Sequence, residues 1–265
     1  MPLRKGLSMK ILCIGDIMGR VGRDMALAYL DRHGAAYDCI LANGENAAHG
    51  RGLSKPVYEE LKHGGIHGIT MGNHVWGCPD IVKVFQYQDD VIRPANLSPG
   101  VPGAGSMLLK LGNGLTVGVI NLLGRTFMQP PADCPFAAAD REIQRLRQVT
   151  NLLFVDFHAE ATSEKIAMGY YLDGRVTAVF GTHTHVQTAD ETILPGGTGY
   201  ITDLGMCGPV HSVLGLDKNT IVHRFTTGMP QKFTLATGAG QFCGCVFDID
   251  PDTGKTTAVE RIFQR

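Results

Sequence analysis

Six short apolar runs in this chain each end in a polar residue able to bind a metal ion. Lys10–Gly15 leads to Asp16, Cys39–Gly44 to Glu45-Asn46, and Gly68–Gly72 to Asn73-His74. Leu152–Phe157 leads to His158, and Val176–Thr182 to His183-Thr184-His185. A weaker sixth, Tyr200-Ile201-Thr202, leads to Asp203. Runs of this kind, punctuated by glycine, read as strands, and ligands of open α/β sheets bind in the crevice beyond the carboxyl ends of such strands. Side chains from five strand ends would converge there, and about seven or eight oxygen and imidazole ligands suffice for two cations. Metal-dependent hydrolysis is therefore the leading reading.

The rest of the pattern supports an α/β chain. The opening predicts a strand over 10–15, a helix near 21–33, a strand over 39–43, a loop over 44–53, a helix near 54–64 and a strand over 68–71. Ser54-Lys55-Pro56 has the form of a helix start, with Ser at the N-cap and Pro in the first turn. Ser106–Leu111 and Leu115–Leu122 flank Gly112-Asn113-Gly114, a hairpin signal. Residues 135–148 read as a helix with a charged face. Segments 219–226, 231–237 and 241–249 read as a closing antiparallel set. The expectation is a mixed-sheet sandwich with helices outside, forming a single domain over 9–265. Residues 1–8 are basic, without the apolar stretch of a signal peptide, and read as an extension with Met9 as the structural start.

Composition narrows the function classes. The chain has 265 residues, 44% of them hydrophobic, enough for a large core, and a net charge of −1. That balance gives no broad pull toward nucleic acid or a membrane surface. No apolar run approaches the roughly 18 residues of a membrane span. The seven cysteines are odd in number and form no CxxC pair, so they read as small buried apolar residues in a reducing cytoplasm rather than a zinc ribbon.

Each candidate ligand is weak alone and informative in company. A lone Asp16 after a strand is most often a turn residue. Glu45 and Asn46 offer two hard oxygen ligands, and a carboxylate can bridge two cations. Asn73 offers a neutral oxygen, with His74 beside it as a proton donor. In an extended chain His183 and His185 point the same way and can reach one site, joined by His158. A shell of oxygen and imidazole without cysteine suits iron, manganese or zinc over copper. Gly19-Arg20-Val21-Gly22 has neither dinucleotide nor P-loop spacing. His33, His63 and His67 read as structural. His49, Arg51 and His211 lie in loops able to line a substrate pocket, and Trp76 reads as a packing residue under the site.

Asp16, Gly44-Glu45-Asn46, Gly72-Asn73-His74, His158 and Gly181-Thr182-His183-Thr184-His185 resemble the calcineurin-like metallophosphoesterases over nearly the whole chain. The similarity is greatest to the small bacterial YmdB-type branch, 2′,3′-cyclic nucleotide phosphodiesterases, which Thr202–Pro209 and Asp248-Ile249-Asp250 also resemble. Met18 stands where the wider superfamily has the His of an Asp-x-His motif, Glu45 replaces a bridging Asp, and Val75 replaces an acidic residue after Asn-His. These departures are those of the branch.

The resemblance implies a four-layer α/β/β/α sandwich. It implies one metal on Asp16, Glu45, Asn46 and His185, and a second on Glu45, Asn73, His158 and His183. The metals would be iron or manganese, with zinc possible. A bridging hydroxide would attack phosphorus while His74, not a ligand, protonates the leaving oxygen. The implied substrate is a small cyclic nucleotide, opened to the 3′-monophosphate, with no stable nucleic-acid complex, no membrane partner and a homo-oligomer possible. Two other functions stay open: a phosphomonoesterase or 5′-nucleotidase on the same scaffold, and a metal-bound regulatory protein with little turnover. The intact His74 and full ligand set count against the last.

Overall fold

The structure, a computed structural model, describes residues 8–265. The extension expected over residues 1–8 falls, Ser8 apart, outside them. The first half alternates strand and helix: β1 (Met9–Ile14), β2 (Asp16–Ile17), α1 (Gly19–His33), β3 (Cys39–Asn43), α2 (Lys55–His63), β4 (Gly68–Thr70), α3 (Ile81–Tyr87) and β5 (Val91–Ile92). The hairpin β6 (Ser106–Lys110) and β7 (Thr116–Leu123) follows, then α4 (Pro135–Leu146), β8 (Leu153–His158), α5 (Thr162–Leu172) and β9 (Ala178–Thr182). The chain closes with β10 (Thr192–Ile193), β11 (Gly199–Ile201), β12 (Met206–Pro209), α6 (Lys218–Thr227), β13 (Gly240–Asp250) and β14 (Lys255–Gln264).

Two mixed sheets result. One runs β2-β12-β13-β1-β3-β4-β5, with β14 also on β13; the other runs β10-β11-β9-β8-β7-β6. Strand alternation explains how they stack. On β1, Ile11 and Cys13 join a core shared with Val117, Phe154 and Phe180 of the second sheet, while Leu12 and Ile14 face Tyr29 of α1 and Leu61 of α2. On β8, Phe154 enters the shared core, while Leu153, Val155 and Phe157 meet Ala138 and Ile143 of α4 and Met168 of α5. Three cores between four layers make the α/β/β/α sandwich. Both faces of the central strands are covered, which is why they read as continuous apolar runs.

The same period of two places the chemistry. Continuing along the inner face of β8 past Phe154 gives Asp156 and then His158. Continuing past Leu41 on β3 gives Asn43, and past Phe180 on β9 gives Thr182. Asn43, Asp156, His158 and Thr182 are all buried. The inter-sheet core thus turns polar at one end, where the strands stop.

The closing region differs from the expectation. Residues 219–226 belong to helix α6, and 231–237 form no strand of their own. The run Thr220-Ile221-Val222 is β-branched and suggests a strand. The helix forms because Asp217 caps it, its side chain accepting from the Thr220 amide, and Gly228 ends it in the left-handed conformation. Ser54 does sit at the N-cap of α2, but its hydroxyl makes no capping bond.

Candidate metal centre

All seven proposed ligands and His74 meet where the inter-sheet core ends. Asp16, Glu45 and His158 are at most 1% exposed. His158 Nε2 lies 3.1 Å from Glu45 Oε1, 3.0 Å from Asn73 Oδ1 and 3.1 Å from His183 Nδ1. Donor atoms about 2.1 Å from one cation, at right angles around it, stand about 3 Å apart, so this spacing suits a shared ion. Glu45, His158 and His183 accordingly form a group of potential ligands with all three donor atoms within 4.8 Å of one another. On the other side of Glu45, His185 Nε2 lies 3.7 Å from Asp16 Oδ1 and 3.1 Å from Asn46 Nδ2.

Each imidazole is oriented by a partner on its outer nitrogen. Thr182 Oγ1 donates to Asp156 Oδ1 at 2.7 Å, so it accepts from His158 Nδ1 at 2.8 Å. Glu160 sits 3.2 Å from His183 Nε2. The Leu214 carbonyl accepts from His185 Nδ1 at 3.1 Å. In the neutral form of each ring this leaves the nitrogen facing the centre with the lone pair, the arrangement that fixes histidine ligands of metals. Asp156 is itself held by Thr70 and Asn43.

The residues present fit bound metal by further signs. Asp16 Oδ1 is buried with no hydrogen-bond partner, an expensive state for a carboxylate oxygen unless a cation takes it. Gly72 is the only residue type that fits behind Asn73. A Cβ there would lie 2.4 Å from His158 Nε2 and 2.5 Å from Glu45 Oε2, filling the cradle.

Charge tells the same story. In the bare protein burial works against ionised Glu45, yet His158 and His74 outweigh it and draw the carboxyl down to about 2. Burial also opposes a charge on His158, but Glu45 and Asp16 push that ring up to about 9. Burial and the neighbouring His158 charge then push His183 down to about 3. The positive charge thus falls on His158, against Glu45, where a cation would otherwise supply it. Asp16 is raised to about 6 by burial, with His185 and His158 opposing.

Two details depart from expectation. Asn46 turns Nδ2 toward His185 and Glu45, and Oδ1 toward His74 Nδ1 at 2.9 Å. A carboxamide binds cations through oxygen, so ligation requires a half-turn of this group. His183 and His185 are not extended: their φ angles are +100° and +64°. They reach one centre from a strained turn just past β9 rather than by strand alternation. That turn is held by Asp203, whose Oδ2 accepts from the Thr184 amide at 3.1 Å and from Lys165 Nζ. Lys165 also donates to the Thr182 carbonyl at 2.8 Å. Asp203, two residues past β11, therefore serves as a support for the turn. Lys165, buried in α5, carried no signal in the sequence, and neither did Asp156, hidden inside an apolar run.

A cavity of about 610 Å³ opens over the centre. Glu45, Asn46, His74, His183 and His185 line it, with His49 and Arg51 also at its wall. His211 does not line it, and Trp76 is 40% exposed, edge-on to Phe85 rather than buried under the site. His33 and His63 end helices, and His67 Nδ1 accepts from the Ile40 amide, as structural residues do. Among the described residues no helix is long and apolar enough to cross a membrane.

Comparison with known proteins agrees with this architecture. Residues 12–262 match the family described as YmdB-like protein. A Bacillus subtilis protein named 2′,3′-cyclic-nucleotide 2′-phosphodiesterase is 51% identical over 96% of this chain and 97% of its own length. A crystal structure of a Thermus thermophilus protein superposes with a TM-score of 0.91 at 40% identity, covering 97% of this chain and 99% of that one. A Mycoplasma pneumoniae phosphatase structure gives 0.91 at 37% identity, covering 97% and 94%. With a sequence match across nearly its whole length and relatives of the same fold well above 30% identity, this chain is a member of the YmdB-like family.

Proposed function

We propose that this chain is a metal-dependent phosphodiesterase that opens 2′,3′-cyclic nucleotides to 3′-monophosphates. One observation carries the reading: three imidazoles, each held on its outer nitrogen, turn the other nitrogen to a centre shared with Glu45 and Asp16 under an open cavity. The activity named for the 51% identical Bacillus relative supports the substrate class. Asp16, Glu45, Asn46 and His185 would hold one ion; Glu45, Asn73, His158 and His183 would hold the other, with iron or manganese preferred. When bound, such a pair lowers the pKa of water and clamps phosphoryl oxygens.

The chain's own residues do the rest. Glu45 Oε1 lies 3.1 Å from His158 Nε2 and 3.3 Å from Asn46 Nδ2, one residue of each half-site, while Oε2 accepts from the His74 amide at 2.8 Å. The half-turn that would let Asn46 Oδ1 reach an ion would bring Nδ2 to His74 Nδ1, which now lies 2.9 Å from Oδ1, and leave the ring's proton on Nε2. Protonating the leaving 2′ oxygen from Nε2 makes the ring a general acid, a role worth about 10²–10⁴-fold. Burial and the nearby Arg51 lower the His74 pKa, with Glu45 opposing, so the ring gives up its proton readily. Phosphorus NMR of products from 2′,3′-cyclic AMP tests the reading. The 3′-monophosphate is expected, formed faster than phosphate is released from 5′-AMP. Exclusive 2′-monophosphate would overturn the regiochemistry and the role of the 2′ oxygen as leaving group, and faster attack on 5′-AMP would replace this reaction by the phosphomonoesterase alternative on the same fold.

A further inference from the structure

The cavity over the metal centre has a wall that the chemistry above does not use. Met18, Leu214, Leu216, Phe233 and Leu235 line it together with the proposed ligands. The wall is built, not incidental. Residues 215–217 pair with 234–236: the Asp217 amide donates to the Thr234 carbonyl at 2.9 Å, and the Ala236 amide to the Gly215 carbonyl at 3.0 Å. Leu235 packs so closely on the first loops that a Cβ at Gly50 would lie 2.5 Å from its Cδ2. Arg224 holds the Phe233 ring, its guanidinium carbon 4.8 Å from the centroid.

This wall is fastened to the centre itself. The Leu214 carbonyl is the hydrogen-bond partner of His185 Nδ1. Met18, two residues after Asp16, packs against the same loop, where a Cβ at Gly215 would lie 2.4 Å from Met18 Cγ. The position that carries a histidine in the wider superfamily is here part of the apolar surface. Yet Leu214 and Phe233 remain 47% and 44% exposed. Large apolar side chains left open beside a polar centre mark a place where a ligand's apolar face is covered.

We propose that this wall holds the nucleobase of the cyclic nucleotide by burying its face, so that a base is required while its identity goes unread. The inference rests on the phosphodiesterase reading above. Of the five apolar side chains Met18, Leu214, Leu216, Phe233 and Leu235, only the Met18 thioether, a weak acceptor, offers anything to a base edge. Stacking on an aromatic ring is tolerant of base identity because every base has a π-face. A larger base buries more area, so adenine is held better than uracil.

The test compares KM of the metal-loaded protein for 2′,3′-cyclic AMP, 2′,3′-cyclic UMP and base-free glycerol 1,2-cyclic phosphate. KM should rise in that order, by about 10-fold or more from first to last. Phe233→Ala should reduce this base preference, the ratio of the last KM to the first, by about 3-fold or more, and Phe233→Trp should retain it. Leu214→Ser, at a second half-exposed position, should act in the same direction and serves if Phe233→Ala fails to fold. The preference is a ratio within one protein, so a general loss of activity does not move it. Equal KM for cyclic AMP and the base-free substrate in the wild type, or a preference unchanged in the variants, overturns the inference and leaves the phosphodiesterase reading standing. A wild type that hydrolyses none of the three overturns that reading, and this inference with it.

Discussion

Asp16, Glu45 and His158 form the floor of the cleft and are at most 1% exposed, whereas His74, His183 and His185 stand at its mouth, partly open to solvent. The floor is placed by strand register. Each of its members ends or directly follows a run whose alternate residues are packed in the inter-sheet core. The mouth is placed by turns. Five non-glycine residues have positive φ among those described, and four of them, His49, His183, His185 and Leu214, surround the cleft. Such conformations cost roughly 1–3 kcal/mol each and persist only where the surroundings enforce them. On the proposed reading the floor offers its ligands from pre-formed strand ends, while the mouth adds His183 and His185 to them, turns His74 toward the substrate and depends on support from behind.

The sharpest way to break that division is Glu45→Ala. Removing the residue shared by both half-sites should empty them together and take turnover to background, a loss well beyond the roughly 10–100-fold of an outer-sphere change. Metal analysis of the purified variant checks it. Two ions per chain and normal activity would mean that the floor is not the metal-binding element.

At the mouth, His74→Ala should leave the metal content intact while turnover on cyclic nucleotides falls by about 10²–10⁴-fold. The loss should shrink for a nitrophenyl ester, whose leaving group departs without a proton. Equal losses on both substrates would remove His74 from the proton-donor role and assign it to metal retention, erasing the distinction between the two regions.

The smallest expected effect is on the support behind the mouth. Lys165 and Asp203 are both buried and paired at 2.5 Å. Lys165→Met strands a buried carboxylate and frees the Thr182 carbonyl, so folding stability should drop by about 3–5 kcal/mol. Denaturant unfolding measures it. A change below about 1 kcal/mol would show that the strained His183–His185 turn is held by something other than this pair.

The positions of the candidate ligands were legible because buried strands advertise themselves as apolar runs and because a polar residue at the end of such a run has few structural reasons to be there. The closing region was not legible. In Thr220-Ile221-Val222, β-branched side chains argue for a strand, and the capping Asp217 and terminal Gly228 outweigh them only once a helix is entertained. Trp76 misled for a related reason: proximity in sequence to His74 says nothing about which way a short 3₁₀ turn faces, and it faces outward onto Phe85.

By itself the sequence determined the strand–helix alternation, the layered sandwich that follows from strands apolar on both faces, and the residues proposed for the metal centre. Those are local properties, set by side-chain period and by what an apolar run permits at its end. Only the tertiary structure decided how each imidazole is oriented, through Thr182 and Asp156, Glu160 and the Leu214 carbonyl. It also decided that Asp203 supports a turn, and that residues 18, 214–216 and 233–235 make one apolar wall. These depend on contacts between segments far apart in the chain, whose pairing is fixed by the packing of the whole sheet stack and leaves no periodic trace in either segment alone.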